Sequence, residues 1–116
     1  MAESPSLDYL AVYGSLAPGK SNHEQLQGIK GRWLRGEVEG DLHNCGWGAA
    51  TGYPGIIPKP GGPRVPVWVL ESVELADAWD RLDAFEGDEY ERVKVPVFLD
   101  DGKTIRAHLY ALRAAP

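Results

Sequence analysis

The stretch Ser72-Val73-Glu74-Leu75-Ala76-Asp77-Ala78-Trp79-Asp80-Arg81-Leu82-Asp83-Ala84-Phe85-Glu86-Gly87 opens on a residue type that caps helices and closes on a glycine suited to a left-handed C-cap. Between these ends Leu75, Trp79, Leu82 and Glu86 recur at helical offsets, and at about 100° per residue they share one narrow stripe. Three members of the stripe are large hydrophobes and the fourth is an acid. Asp77, Asp80 and Asp83 fall mostly off it and are free to face water. The pattern predicts a helix over residues 72–87 whose inward face ends on a carboxylate. Burial disfavours the charged form of a carboxylate and raises its pKa, which is the condition for a proton-transferring group at neutral pH. The competing reading is that position 86, at the end of its helix, lets the side chain reach water.

Outward from this helix the chain reads as short strands and turns. Tyr9-Leu10-Ala11-Val12-Tyr13 is an apolar run with aromatic and branched residues, the pattern of a strand buried on both faces. It runs into Gly14-Ser15-Leu16-Ala17-Pro18-Gly19-Lys20, a loop of turn formers, and then into Ser21-Asn22-His23-Glu24, which fits a capping box and predicts a second helix toward Gly28. Trp33 to Leu42 alternates around Val38, with Gly36 and Gly40 beside it, and Tyr53 to Ile57 is a short extended piece within a long glycine- and proline-rich loop from Asn44 to Pro63. Val65 to Leu70 leads into the 72–87 helix. Arg92 to Leu99 and Thr104 to Leu112 form a hairpin about Asp100-Asp101-Gly102-Lys103, where Asp-Gly favours a type I′ turn. Pro66 and Pro96 mark edge strands or bulges. The sum is a single α+β domain over residues 8–113, a small mixed β-barrel or strongly curved sheet with two flanking helices, preceded by a flexible tail at residues 1–7.

Composition narrows the function. The chain has 116 residues, one domain's worth, with a hydrophobic share of 43% and four tryptophans, which is globular rather than disordered. A net charge of -5 without any basic cluster argues against nucleic acid and against an anionic membrane surface. One cysteine excludes an internal disulfide and agrees with a reducing compartment. No apolar run approaches the ~20 residues of a membrane span, and the polar start Met1-Ala2-Glu3-Ser4-Pro5-Ser6 is unlike a signal peptide. The expectation is a soluble, cytoplasmic, acidic domain.

Several constellations could carry chemistry. Tyr13-Gly14-Ser15-Leu16 places small residues where successive backbone N–H groups can form an anion-binding concavity, suited to a carboxylate or a developing oxyanion. The letters Gly14-x4-Gly19-Lys20-Ser21 match a phosphate loop, yet Pro18 removes one N–H from the cradle and the chain is too short for the larger sheet of such domains. His23, His43 and His108 are scattered, with no pair at the i, i+4 spacing of a helical zinc site, so no metal is expected. His43 and Cys45 could share one face of an extended segment as a thiol–imidazole pair, although a lone cysteine is more often a packing residue. Trp47 could line a pocket. Ser15 lacks the Gly-x-Ser-x-Gly setting of a nucleophile.

Two blocks together, Tyr13-Gly14-Ser15-Leu16-Ala17-Pro18-Gly19-Lys20-Ser21-Asn22-His23 and Leu82-Asp83-Ala84-Phe85-Glu86-Gly87 followed by Tyr90-Glu91-Arg92, resemble the gamma-glutamylcyclotransferase-like family, in its branch of AIG2-like proteins and gamma-glutamylamine cyclotransferases. A Tyr53-Pro54 step lies between them, as it often does in that family, and the resemblance runs over roughly residues 9 to 112. It implies a small mixed barrel with flanking helices that works without a cofactor on a small-molecule γ-glutamyl substrate. The implied reaction is intramolecular: the α-amine of a γ-glutamyl group attacks its own γ-carbonyl, giving 5-oxoproline and a free amine. By resemblance Glu86 is the general acid/base. Gly14, Ser15 and Leu16 offer backbone amides to the substrate, and Tyr13 and Tyr90 wall the pocket. Arg92 reads as a structural residue pairing with Asp83 or Asp88. A different class of reading is a non-catalytic domain that binds a small acidic ligand or a partner protein through the same pocket, and a third is a cysteine hydrolase built on Cys45 and His43.

Overall fold

Alternation of apolar and polar residues, with both faces often apolar, drives six strands into one curved sheet. The computed structural model describes residues 7–13, 26, 28–43, 55–87 and 90–112. In chain order the strands are β1 (Asp8–Val12), β2 (Arg32–His43), β3 (Gly55–Pro58), β4 (Arg64–Ser72), β5 (Tyr90–Leu99) and β6 (Thr104–Leu112). A 3-10 turn, Leu75–Asp77, and one α-helix, α1 (Trp79–Glu86), stand between β4 and β5. The sheet order is β3-β2-β4-β1-β6-β5, and β2 also pairs with β5. That extra pairing closes β2, β4, β1, β6 and β5 into a five-stranded barrel, with β3 added on the outside of β2. β1 and β6 run parallel, and every other pairing is antiparallel. The barrel is therefore mixed, as the sequence led us to expect.

The barrel closes over a very short seam. Only Gly36↔Leu99 and Glu37↔Phe98 pair β2 with β5, while the same two residues of β2 also face Val67 and Pro66 of β4. The Asp100 N–H donates to the Arg35 carbonyl at 3.0 Å and extends the seam by one bond. A Cβ placed on Gly36 would stand 2.8 Å from the Phe98 carbonyl oxygen, so only glycine lets the backbones approach here. Four residues further on, Gly40 pairs with Pro58, where β2 has left β5 and taken up β3.

Side chains pack in two layers. Ala11, Val38, Val65, Val67, Val69, Val95, Val97, Ala107 and Leu109 fill the lumen. Outside the ring, Leu10, Val12, Leu70, Tyr110 and Leu112 pack against Leu75, Ala78 and Leu82 of the helical segment. β1 is buried on both faces for this reason. Pro66 lies beyond the register of β1 with β4, and Pro96 lies outside the short β2–β5 pairing, so each proline has a registered partner on one side only.

Four local expectations are corrected. The predicted helix over residues 72–87 is a 3-10 turn followed by an eight-residue α-helix. Ser72 does not cap it: Ser72 ends β4, its hydroxyl accepts the Glu74 N–H at 2.9 Å and donates to the Lys30 carbonyl, and the residue before α1 is Ala78. Gly87 does take a positive φ of 82°, but its ψ of -172° is extended rather than left-handed helical, a conformation open in practice to glycine alone. The hairpin turn is not type I′, because Asp101 has a negative φ and Gly102 alone is positive, at 91°. Gly102 N–H bonds the Leu99 carbonyl and Leu99 N–H the Lys103 carbonyl, which makes a type I turn with a glycine bulge over a three-residue loop. Most of the second helix predicted from Ser21 toward Gly28 lies outside the described residues, and so do residues 44–54 of the long loop from Asn44 to Pro63.

Substituting Gly36→Ala is expected to destabilise the fold by about 2 kcal/mol, because the new methyl must push the seam apart. Gly28→Ala, with nothing near the added carbon, should stay within about 0.5 kcal/mol of the parent. Urea unfolding of both variants checks the pair, and equal midpoints would show that the seam is not the tight point.

Candidate active site

Helix α1 is too short to be stable alone and owes its position to what it touches. Its inward stripe is Leu82, fully buried, then Glu86, 7% exposed, with Ala78 before them. The expectation that an acid ends the apolar stripe and stays inside is met: Glu86 turns onto the barrel rather than into water. Burial pushes the Glu86 carboxyl up from 4.5 to about 7. This is the range in which a carboxyl can both hold and release a proton near neutral pH.

A second stripe of the same helix faces β5 and β6. Asp83 accepts from Arg92 Nε at 2.9 Å and Nη2 at 3.4 Å, and from the Tyr110 hydroxyl at 2.6 Å. Partial burial works to raise the Asp83 pKa, but these bonds and the guanidinium charge outweigh it and hold the carboxyl below its usual range. Arg92 Nη1 lies 3.1 Å from His108 Nδ1. Since a guanidinium can only donate, His108 accepts there and carries its proton on Nε2. The guanidinium also lies over the Trp79 ring at 4.3 Å, and Trp79 packs on the His108 ring at 4.4 Å. Burial, followed by the Arg92 charge, lowers the His108 pKa and keeps the ring neutral. Of the two partners the sequence offered Arg92, the structure has Asp83. Asp88 lies outside the described residues.

Tyr13, just past β1, donates its hydroxyl hydrogen to the Tyr110 carbonyl at 2.8 Å, and its oxygen accepts the Ile56 N–H at 3.0 Å. Its pKa is raised by burial first, then by the charges of Tyr90 and Glu86, against the Ile56 bond, so both side chains lie within electrostatic reach of Tyr13. Burial, the Asp83 hydrogen bond and the nearby charges of Asp83 and Glu86 likewise raise Tyr110. Both phenols stay protonated and serve as donors. Tyr90 opens β5, is buried, and with Tyr110, Asp83, Arg92 and Gly87 lines a cleft of about 390 Å³.

Of the site residues named from sequence, Tyr13, Glu86 and Tyr90 thus come together. Gly14, Ser15 and Leu16 lie outside the described residues, and so do Cys45 and Trp47. His43 ends β2 and is exposed. Tyr110, Asp83, His108 and Trp79 were not singled out as site residues. Trp79 and Asp83 stand four residues apart, and Tyr110 faces Arg92 across the β5–β6 ladder, so helical spacing and hairpin register together held the signal. Among the described residues no helix is long and apolar enough to cross a membrane.

The model of a family described as gamma-glutamyl cyclotransferase, AIG2-like, matches residues 10–116. The chain belongs to that family. The cyclotransferase fold is shared with the solution structure of At5g39720.1 from Arabidopsis thaliana, at 28% identity over 98% of this chain and 75% of that one, with a TM-score of 0.71. It is shared too with an AIG2-like protein from Mus musculus, at 25% identity over 95% of this chain and 80% of that one, with a TM-score of 0.68. YkqA from Bacillus subtilis is 25% identical with a TM-score of 0.71, and the match covers 93% of this chain but 36% of YkqA. The chain therefore spans about a third of that relative's length. Sequence comparison with curated proteins finds no match.

The buried acid has a signature in stability. Below pH 4.5 Glu86 is neutral in both the folded and the unfolded chain. Between 4.5 and about 7 the unfolded chain gives up the proton while the fold keeps it, so stability falls as pH rises. Above about 7 the loss is complete and amounts to about 3 kcal/mol. Glu86→Gln removes this slope, since an amide does not ionise. Urea unfolding at pH 5 and pH 8 is expected to show the wild type losing about 3 kcal/mol relative to Glu86→Gln. Parallel pH profiles would mean that Glu86 is solvated.

Proposed function

We propose that this chain is a γ-glutamyl cyclotransferase that converts a γ-glutamyl group, as a γ-glutamylamine or a related compound, to 5-oxoproline with release of the amine. The reading rests on one observation: Glu86 is held inside the fold, 7% exposed, where burial lifts its pKa to about 7 and its charge reaches Tyr13 and Tyr110. Family membership supports it.

The chemistry needs little else. The substrate's own α-amine attacks its own γ-carbonyl, so a C–N bond forms in a five-membered ring as the bond to the departing nitrogen breaks. Holding the chain of the substrate folded supplies most of the advantage of an intramolecular reaction. At neutral pH the α-amine arrives as an ammonium. Glu86 as carboxylate takes its proton, and as carboxylic acid returns a proton to the leaving nitrogen. A single group with a pKa near 7 serves both halves of this exchange. Tyr13 and Tyr90 wall the substrate. The backbone amides of Gly14, Ser15 and Leu16 receive its carboxylate or the oxyanion of the tetrahedral intermediate. The assignment makes the domain cytoplasmic and independent of any cofactor.

Incubation with a panel of γ-glutamyl compounds, with 5-oxoproline as the readout, tests the proposal. Wild-type protein is expected to release it, with kcat/KM falling below about pH 7 as Glu86 takes up its proton. Glu86→Gln should lose at least about 100-fold in kcat and keep its fold. Near-normal release by that variant would remove Glu86 from the mechanism. Binding of 5-oxoproline without turnover by the wild type would instead mark a ligand-binding domain.

A further inference from the structure

Tyr110 bonds to both halves of the site, through its side chain on one side and its main chain on the other. Its hydroxyl donates to Asp83 Oδ1 on α1 at 2.6 Å, and its main-chain carbonyl accepts the Tyr13 hydroxyl at 2.8 Å. Asp83 precedes Glu86 by nearly one helical turn, and Tyr13 immediately precedes Gly14-Ser15-Leu16. The Tyr13 oxygen also accepts the Ile56 N–H, so an unbroken run of hydrogen bonds passes from α1 through β6 to the end of β1 and on to β3. The Tyr110 and Tyr13 hydroxyls along it are largely sheltered from water, where hydrogen bonds are stronger and the loss of one partner is costly.

We propose that Tyr110 is a positioning residue of this site: its hydroxyl and its carbonyl together hold helix α1, and with it Glu86, in register with Tyr13. The inference rests on the role proposed for Glu86 and adds a residue that does not itself meet the reacting atoms.

Asp83 would not hold the helix equally well through Arg92 alone. The Asp83 and Arg92 side chains are 43% and 26% exposed, and an ion pair so open to water contributes little on its own. Arg92 approaches Asp83 from the side of Trp79 and His108. The Tyr110 hydroxyl ties α1 directly to β6, the strand whose carbonyl accepts from Tyr13. Without its hydroxyl, α1 keeps its apolar contacts through Leu82 and Ala78 but is free to tilt about them. A tilt opens the Glu86 side to water, and a misplacement of about 1 Å can cost on the order of 100-fold in rate. The ionisable groups around Glu86 are Tyr13 at the end of β1, Tyr110 on β6, Tyr90 at the start of β5 beyond Tyr13, and Asp83, paired with Arg92, on its own helix.

The test is Tyr110→Phe, which removes one oxygen and keeps the ring, with Asp83→Asn as a second variant. The kcat for 5-oxoproline release is expected to fall at least about tenfold in Tyr110→Phe, with KM within about twofold of wild type. The double variant should fall no further than the worse single one, because both break the same bond. The titration midpoint of Glu86, read by NMR of its carbon-13-labelled carboxyl, is expected to drop from about 7 toward the ordinary carboxylate range as water gains access. This readout needs no turnover. If wild-type protein released no 5-oxoproline, the proposed reaction would fail while the midpoints still decided the role of Tyr110. Unchanged kcat with an unchanged midpoint, or a loss of activity that tracks only the unfolded fraction, overturns the inference.

Discussion

The barrel is held shut by a seam two residue pairs long, and the rest of the molecule is arranged around that closure. At Gly36 and Glu37 one strand serves two neighbours at once, β4 on one side and β5 on the other. A ring of five strands leaves an interior that side chains can fill completely, since even eight strands enclose little more than a packed core. Here branched and small residues fill it: six valines from β2, β4 and β5 meet Ala107 and Leu109 of β6 and Ala11 of β1. No substrate can enter such a lumen. Whatever this domain does must be done on the outside of the ring, where α1 covers the faces of β1, β4 and β6.

That placement sets stability against the role proposed for Glu86. The outer layer is as apolar as a core, yet α1 delivers a carboxylate into it. Ionising Glu86 there works against folding, and replacing it by an amide should relieve the cost. Active sites commonly retain such unfavourable groups because the chemistry requires them. The compensation is visible three to eight residues away. Leu82 and Ala78 bury their side chains beside the acid, and Asp83 and Trp79 engage Arg92, His108 and Tyr110. A helix with no side-chain N-cap is thereby kept in place by its neighbours.

Much of this was legible in the chain itself. The stripe Leu75, Trp79, Leu82, Glu86 located the helical segment and its inward acid, and the apolar run Leu10-Ala11-Val12 marked a strand covered on both faces. The failures have physical causes. Ser72 resembles an N-cap, but its hydroxyl is already committed to Glu74 and Lys30, so the helix starts later. Asp101-Gly102 resembles a type I′ turn, and a two-residue turn there would pair Arg92 with Ala111. The actual three-residue loop pairs Arg92 with Tyr110. A slip of one residue exchanges the faces of a strand, and it concealed the partnership on which the clasp depends. Tyr110 also alternates with buried residues and so reads as a solvent-facing position, because the alternation does not reveal that a helix covers the second face.

The helix carries two stripes, and the angle between them matters more than either alone. Trp79 and Asp83 are four residues apart on one line, and Leu82 and Glu86 are four apart on the next, about 60° around the axis. Apolar burial alone sets the rotation of a short helix loosely, because Phe85 or Trp79 could fill much of the space that Leu82 occupies. Hydrogen bonds are directional, so the clasp of Asp83 by Arg92 and Tyr110 admits one rotation. Once that rotation is set, Glu86 has nowhere to point except onto the barrel. A network that looks like surface polarity in the sequence thereby decides where the buried acid stands, and the acid's chemistry follows from the place it is given.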